Sequence, residues 1–231
     1  RGEGRALGNI GLCYAEGGNY AEARGYFEQS LQIRNEIGDK EGACGTLSNL
    51  GLLSHDLGDC DTAWEYSQQA LCLAKDIGIR RWQGYALTNL GRVLESLERP
   101  TEAAESYRQA LALRRELGQR QLAMDILAGL ARLSLFQEEP PQAQTYVEEI
   151  LSYLEGNPPD GIEEPFRVYL TCYRVLRANE DPRAGDILST AHRLLQERAA
   201  KISDDKMRQS FLENVTAHRE IASEWRGTSG G

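Results

Sequence analysis

Three histidines and five cysteines are the side chains of this sequence best suited to bind a metal, act as a nucleophile or transfer a proton. His55, His192 and His218 lie far apart, and none has a cysteine or aspartate at ligand spacing on a shared face. The cysteines form no C-x-x-C pair; they are Cys13, Cys44, Cys60, Cys72 and Cys172. We interpret them as small apolar core residues in a reducing compartment, the cytoplasm, with a redox role as the alternative.

The sequence contains none of the short motifs that mark common active sites: no G-x-x-x-x-G-K-[ST], no H-E-x-x-H and no G-x-S-x-G. Its carboxylate pairs, Glu148-Glu149 and Asp204-Asp205, fall on predicted outer faces or helix starts, where solvation and the helix dipole account for them. An enzyme should show polar groups that converge at positions otherwise expected to be core. We therefore predict that the chain is not an enzyme and that it holds no metal and no cofactor.

The composition narrows the classes of protein further. A formal net charge of −9 argues against a nucleic-acid binder, because such proteins neutralise phosphates with basic residues. No run of about 18 apolar residues occurs, so we expect no membrane span. A hydrophobic fraction of 41% is enough for a continuous core. The chain begins at Arg1 without a methionine or a signal peptide, so we expect an excised fragment of a longer protein.

A five-residue stretch recurs with a fixed period of forty residues. Leu7-Gly8-Asn9-Ile10-Gly11 returns as Leu47-Ser48-Asn49-Leu50-Gly51, then as Leu87-Thr88-Asn89-Leu90-Gly91, and in a divergent form as Leu127-Ala128-Gly129-Leu130-Ala131. A fixed period of this size is typical of a solenoid, in which each repeat buries its apolar face only against its neighbours. The sequence therefore predicts a repeat array.

Each repeat carries the pattern of two helices. Leu7, Ile10 and Tyr14 follow one helical face, and Gly17-Gly18-Asn19 then breaks the helix. Small residues recur where the two helices would cross closely, namely Gly11, Gly51, Gly91 and Ala131 in the first helix and Ala23, Ala63, Ala103 and Ala143 in the second. Each second helix ends at a glycine that suits the left-handed conformation of a helix C-terminus, namely Gly38, Gly78 and Gly118.

The spacing of Leu7, Ile10-Gly11, Tyr14, Ala23 and Phe27 resembles the tetratricopeptide repeat (TPR), although the period here is forty residues rather than 34. The resemblance implies an all-α fold: an α-solenoid of helix–turn–helix TPR units that forms a right-handed superhelix and is closed by a C-terminal capping helix.

Long repeats with this Asn-Leu-Gly core resemble two groups of proteins. One group is the sensor regions of bacterial signal-transducing (STAND) ATPases and repeat-bearing nucleotide cyclases. The other is animal scaffold proteins of the spindle-orientation and kinesin-light-chain type. The segment Gln209-Ser210-Phe211-Leu212-Glu213-Asn214-Val215 resembles the closing helix of the bacterial group, which favours the first comparison.

These patterns divide the chain into four parts. We predict four TPR units in residues 1–156, a fifth and divergent helix pair in 157–202, a capping helix in 203–226 that starts after Ser203, and a disordered tail in 227–231. The Gly- and Pro-rich stretch 156–161 is the strongest loop signal. We interpret it as an enlarged connection between repeats, with a hinge between domains as the alternative.

By the resemblance, the first helices line a concave groove in which a partner protein or peptide would bind. The candidate binding residues are Asn9, Asn49, His55, Tyr85, Asn89, Arg92, Asp125, Arg132 and Phe136, with Leu12 and Leu52 among the other groove positions. The asparagines recur at one position per repeat, where they would bond to a peptide backbone or, alternatively, brace the helix pair within each repeat. Arg92 and Arg132 would pair with the carboxylates of an acidic partner.

We therefore predict a protein-interaction module, the sensor or scaffold part of a larger bacterial signalling protein. An absent ATPase or cyclase domain would then be an intramolecular partner, and we expect no nucleic-acid or membrane partner. One alternative is a sugar-sensing superhelix of a transcriptional activator, in which Tyr85 and Phe136 would be the aromatic residues, with His55 and Asp56 nearby. The other is a structural scaffold of the animal spindle-orientation or kinesin-light-chain type.

Overall fold

A computed structural model describes residues 2–229 of the chain, and this range forms twelve α-helices. No β-sheet forms among these residues, where a single bridge joins Asp160 to Ile162. The helices are α1 (Gly2–Glu16), α2 (Tyr20–Glu36), α3 (Lys40–Asp56), α4 (Cys60–Asp76), α5 (Arg80–Ser96), α6 (Pro100–Glu116), α7 (Arg120–Phe136), α8 (Pro140–Gly156), α9 (Pro165–Ala178), α10 (Ala184–Ala199), α11 (Asp205–Glu213) and α12 (Thr216–Ser229). None of these helices combines the length and the apolarity needed to cross a membrane, over the range that the structure describes.

The chain divides into two compact units, the first ending at Leu117 and the second beginning at Gly118. In the first unit α1 packs on α2, α3 on α4 and α5 on α6, so each pair of helices is one repeat. In the second unit α7 packs on α8 and α9 on α10, and α12 lies against both α9 and α10. The predicted all-α array of helix–turn–helix repeats is confirmed. The division falls after the third repeat, whereas the loop 156–161 lies inside the second unit.

The two helices of a repeat cross at a small residue on the first helix. A Cβ added to Gly11 would lie 2.7 Å from the ring of Phe27, and a Cβ added to Gly91 would lie 2.6 Å from the ring of Tyr107. In the second repeat Ser67 replaces the aromatic residue, and the backbone of α4 comes within 3.4 Å of the Cβ position of the facing glycine. A larger side chain on the first helix would therefore force the pair apart in each of these repeats.

The turns between helices place one residue per turn in the left-handed region of the backbone. Glycine fills this position at Gly18, Gly38, Gly58, Gly78 and Gly118. Glutamate fills it at Glu98, Glu138 and Glu180, with φ angles of 56°, 59° and 55°. A residue that carries a Cβ is strained in this region by roughly 1–2 kcal/mol.

The C-terminal segment differs from the sequence prediction. The cap consists of the two helices α11 and α12 rather than one, and α11 begins after Asp204, whose carboxylate accepts a hydrogen bond from the N–H of Met207 at 2.8 Å. Helix α12 continues through Ser229 into the segment predicted as a tail, and Gly230 and Gly231 lie outside the described residues. Phe211 of α11 and Ile221 of α12 are buried in one cluster with residues of α9 and α10.

A buried histidine accounts for the break between α11 and α12. The Nδ1–H of His218 donates to the carbonyl oxygen of Phe211 at 2.7 Å, whereas a continuous helix would bond that carbonyl to the N–H of Val215. The imidazole also packs edge-on against Phe166, with the ring centroids 4.6 Å apart. Burial lowers the pKa of His218 to about 4, so the ring is neutral at pH 7.

The cysteines separate into buried and exposed positions. Cys44 and Cys172 are buried, and burial raises the pKa of Cys44 to about 11 and that of Cys172 to about 12, so these two are core residues. Cys13 and Cys72 are exposed and Cys60 is half-buried. The interpretation of all five as core residues was therefore wrong for Cys13 and Cys72, which lie on helix faces that no neighbouring helix covers.

Replacing Glu98 by glycine should stabilise the first unit by about 0.5–1 kcal/mol, because glycine adopts the left-handed conformation without the strain of a Cβ. Urea unfolding followed by circular dichroism measures the change. Glu98→Ala is the matched control: it removes the same carboxylate, keeps a Cβ and should give no such gain. Equal gains in both variants would assign the effect to charge and contradict the role of backbone strain.

The second unit should lose stability as the pH falls from about 6.5, the ordinary pKa of histidine, towards the lowered value of about 4 in the folded protein. The unfolded chain binds the proton first, so the gap between the two pKa values corresponds to a loss of roughly 3 kcal/mol by pH 4. Urea unfolding at pH 7 and pH 4.5 measures it. In His218→Gln most of this pH dependence should disappear, leaving the contribution of His192, whose pKa burial also lowers. An unchanged pH dependence would contradict the account.

Candidate partner-binding surface

The predicted groove residues of the first unit lie along α1, α3 and α5, and we call this surface the first-helix face. It comprises Asn9, Leu12, Asn49, Leu52, His55, Tyr85, Asn89 and Arg92. Asn9 and Leu12 on α1 are exposed, and the three residues on α3 are half-buried. Leu12, which is 40% exposed, and Leu52 occupy the same position of neighbouring repeats. The α1–α3 end of the face therefore presents apolar and amide groups to solvent.

At α5 the same face is closed by contacts within the protein. The side-chain amide of Asn89, which is 5% exposed, donates to the carbonyl oxygen of Ser48 on α3 at 2.8 Å. Arg92 is only 2% exposed and takes part in further contacts. Of the two roles that the sequence left open for the asparagines, Asn89 has the bracing role. Its bond joins neighbouring repeats, however, and not the two helices of one repeat.

Tyr85 lies under a buried arginine. The guanidinium of Arg114 on α6 is 4.1 Å from the centroid of the Tyr85 ring, and the Trp82 ring is 5.3 Å away. Arg114 is itself buried, and its Nη1 donates to the carbonyl oxygen of Arg81 at 3.2 Å. Gly84 leaves the space for this arginine, since a Cβ there would lie 2.9 Å from the Arg114 Cζ. One face of the Tyr85 ring is therefore occupied by Arg114 and is not available to a ligand.

The packing of Arg114 corresponds to a glycine–arginine pair that recurs in the sequence and that the search for motifs above did not use. Gly4 and Arg34 in the first repeat correspond to Gly84 and Arg114 in the third, eighty residues later. In the first repeat, too, the arginine lies over the glycine, with the Cγ of Arg34 3.2 Å from the Cβ position of Gly4. The second repeat has a cysteine and an alanine at these positions. In these three repeats, an arginine occurs at this position of the second helix only where the first helix has a glycine that leaves space for it.

A serine, a histidine and an aspartate meet where α3 and α5 end. The Nε2 of His55 is 2.9 Å from the Oγ of Ser96, and its Nδ1 is 3.4 Å from a carboxylate oxygen of Asp56. The order of groups is that of a nucleophile, a base and a carboxylate that orients the base. No local motif predicts this cluster, because Ser96 lies one repeat after His55.

The surroundings of this cluster do not suit acyl transfer. An oxyanion needs free N–H groups, but those of Leu97, Glu98 and Arg99 already donate to the carbonyls of Val93, Glu95 and Leu94. The helix C-terminus also places partial negative charge beside Ser96, which opposes formation of an alkoxide. We conclude that the His55–Ser96 contact joins two neighbouring repeats. Within residues 2–229, moreover, no group of three or more His, Cys, Asp or Glu side chains is placed to hold a metal ion.

In the second unit the predicted residues have separate environments. The carboxylate of Asp125 accepts hydrogen bonds from the N–H groups of Glu163 and Glu164, at 3.1 and 3.0 Å, and so fixes the backbone that leads into α9. The Nη1 of Arg132 donates to the Oγ1 of Thr171 at 3.2 Å, between α7 and α9. Phe136, at the end of α7, is 66% exposed.

Exposed acidic groups lie beside the open end of the first-helix face. Glu16 and Asp56 are exposed at corresponding positions of α1 and α3. Arg5 is also exposed, but it lies seven residues before Leu12, roughly 10 Å away along the helix, whereas Glu16 follows Leu12 by four residues, about 6 Å. Glu16 and Asp56 are therefore the exposed charges nearest to Leu12 and Leu52 along α1 and α3, and they favour a basic group on a ligand that binds there.

The helices pack in consecutive pairs, and each pair of the first unit packs on the next. This arrangement defines a helical-repeat protein. A family model described as "Tetratricopeptide repeat" matches residues 2–76 and 82–155, which together make up more than half of the chain. The chain therefore belongs to the tetratricopeptide repeat family. No curated protein matches the chain significantly.

Solved structures share the fold at low sequence identity. BtubC (BKLC) from P. vanneervenii is 18% identical, with a TM-score of 0.64 over 86% of this chain and 82% of its own. Kinesin light chain TPR-like repeats from Podosopora anserina are 16% identical, with a TM-score of 0.58 over 86% of this chain and 97% of theirs. A Rap protein complexed with Competence and Sporulation Factor is 15% identical, with a TM-score of 0.64 over 94% of this chain and 63% of its own. At these identities the likeness concerns the fold alone.

Asn89→Ala should lower the free energy of unfolding by about 1–2 kcal/mol, because it removes the buried hydrogen bond between α5 and α3. Asn9→Ala makes the same change at an exposed counterpart and should stay within about 0.5 kcal/mol of the unaltered chain. Urea unfolding of both variants measures the difference. Equal losses would contradict the assignment of the brace to Asn89.

Proposed function

We propose that this chain is a protein-interaction module and that the α1–α3 end of its first-helix face binds a peptide segment of a partner protein. The observation that carries the proposal is the pair of leucines, Leu12 and Leu52, which recur at one position of two neighbouring repeats and stay accessible. In the third repeat this position is Arg92, which is buried. The open surface therefore ends at α5, where Asn89 bonds to α3 and Arg92 is buried.

The chemistry of this surface selects the kind of peptide. Leu12 and Leu52 favour an apolar side chain, and the half-buried amide of Asn49 can donate to and accept from an extended backbone. Glu16 and Asp56 favour a lysine or arginine next to the apolar residue. From the sequence alone we expect an acidic partner held by Arg92 and Arg132. We now propose a peptide with apolar and basic residues for the first unit, because Arg92 is covered.

Membership of the tetratricopeptide repeat family supports an interaction role, and one structure of similar fold is that of a Rap protein complexed with Competence and Sporulation Factor. The wider setting is a further proposal: the chain is the sensor part of a larger bacterial signalling protein, in which partner binding would shift an attached ATPase or cyclase domain between two states. The resemblance of residues 209–215 to the closing helices of such proteins supports this setting.

The geometry disfavours the sugar-binding alternative. A sugar site needs an open aromatic face, but the ring of Tyr85 carries the guanidinium of Arg114 at 4.1 Å. Phe136, the other aromatic residue of that hypothesis, belongs to the second unit, whereas Tyr85, His55 and Asp56 belong to the first. Peptide binding requires no rearrangement of the Tyr85–Arg114 contact.

Selection of random twelve-residue peptides displayed on phage tests the peptide proposal. The enriched peptides should combine leucine, isoleucine or phenylalanine with lysine or arginine. Synthetic, fluorescently labelled versions should bind the chain in anisotropy titrations. The double variant Leu12→Asp, Leu52→Asp should weaken binding at least about tenfold, because it places charge where the apolar anchor lies.

Trp64→Ser is the matched control, since it removes an exposed apolar side chain from the second helix α4. It should leave the affinity within about twofold of the unaltered chain. Circular dichroism verifies that all variants stay folded. Enriched peptides that are acidic, or equal losses in the two variants, would contradict the proposed surface.

A further inference from the structure

A second surface of α1, distinct from the first-helix face, carries residues of core type that are exposed. Ala6, Ile10 and Cys13 follow one another at helical spacing on this side, and all three are exposed. Ile10 is 40% exposed, whereas its counterparts in the next two repeats, Leu50 and Leu90, are 1% and 3% exposed. We call Ala6, Ile10 and Cys13 the α1 flank.

The repeat itself shows what covers such a flank. The α3 residues that correspond to Ile10 and Cys13 are Leu50 and Leu53, and both are buried in a cluster with Ala23 and Phe27 of α2. The second helix of one repeat thus lies on the first helix of the next, with Ala23, Phe27 and Leu31 spaced four residues apart along it. The α1 flank offers the same shape and polarity to a helix of this pattern.

The asparagine brace supplies an independent observation. Asn89 on α5 donates to the carbonyl oxygen of Ser48, on the first helix of the preceding repeat. Asn9 stands at the same position of α1 and is exposed. A unit docked on α1 in the manner of a preceding repeat would place the carbonyl of its own first helix beside Asn9. The flank and Asn9 together therefore fit both helices of one unit.

We propose that the α1 flank binds a further helix–turn–helix unit of the same kind, whose second helix carries the pattern of Ala23, Phe27 and Leu31 and whose first helix accepts the bond from Asn9. A second copy of the chain is the competing occupant. Its α2, α4 and α8 already lie against its own α3, α5 and α9, so α6, at the end of the first unit, is the second helix that would have to cover the α1 flank.

A chain extended by one unit tests the proposal. A copy of residues 2–41 is placed before Gly2, so that the native Ile37-Gly38-Asp39 turn and the forty-residue period are kept and the copy is joined to α1 at a high effective concentration. The copy carries Ile10→Asp and Cys13→Ser, so that it neither presents the same flank nor adds a thiol at position 13. The original Cys13 then reports on the covered surface, and the exposed Cys72 is an internal reference.

The rate of Cys13 alkylation by iodoacetamide, followed by peptide mass spectrometry, should fall at least about tenfold in the extended chain, while Cys72 keeps its rate. The same extension with Phe27→Asp in the copy should not protect Cys13. An unchanged Cys13 rate would overturn the proposal, whether the added residues are helical or unfolded, because docking is what would order a single unit.

Analytical ultracentrifugation of the unextended chain tests whether a second copy of the chain occupies the α1 flank instead. A dimer that Ile10→Asp dissociates would overturn the proposal in favour of a second copy, and a monomer at all concentrations supports it. The α1 flank is separate from Leu12 and Leu52, so failure of this test leaves the peptide-binding proposal open to its own.

Discussion

The fold depends on how closely the first helix of each repeat approaches the second. Where the second helix carries Phe27 or Tyr107, the first must be glycine, since a Cβ would lie under 3 Å from the ring. Where the second helix carries Ser67, its backbone moves in to fill the space. Protein interiors tolerate neither gaps nor overlaps of this size. The forty-residue period places a glycine at this crossing in each of the first three repeats.

The contacts between repeats follow the same period, because residues forty or forty-one positions apart meet across neighbouring repeats. The guanidinium of Arg81 donates to Glu41 across forty residues, and Asn89 donates to Ser48 across forty-one. His55 reaches Ser96 in the same way. These bonds use polar groups of α3 and α5, and Leu12 and Leu52 take no part in them. The proposed peptide site is thus the part of the face that the protein does not use to hold itself together.

The fold could be predicted from the sequence because the crossing glycines and the turn glycines are local signals with a fixed period. The state of the individual groove residues could not, because burial depends on the neighbouring repeat. Asn9 and Asn89 look alike in sequence, yet one is exposed and the other bonds to Ser48. Arg92 has the residue type of a binding hot spot and is covered. The cap divides where His218 bonds to the carbonyl of Phe211 and packs against Phe166 of α9, a contact that the helical pattern of the segment does not contain.

The central claim is that the face is bonded to itself at α5 and open at α1. Solvent exchange of the asparagine side-chain amides, measured by NMR, tests it most directly. The account predicts slow exchange for the Asn89 amide and fast exchange for that of Asn9. Fast exchange at Asn89, equal to that at Asn9, would contradict it. The α5 part of the first-helix face would then also be a candidate binding surface.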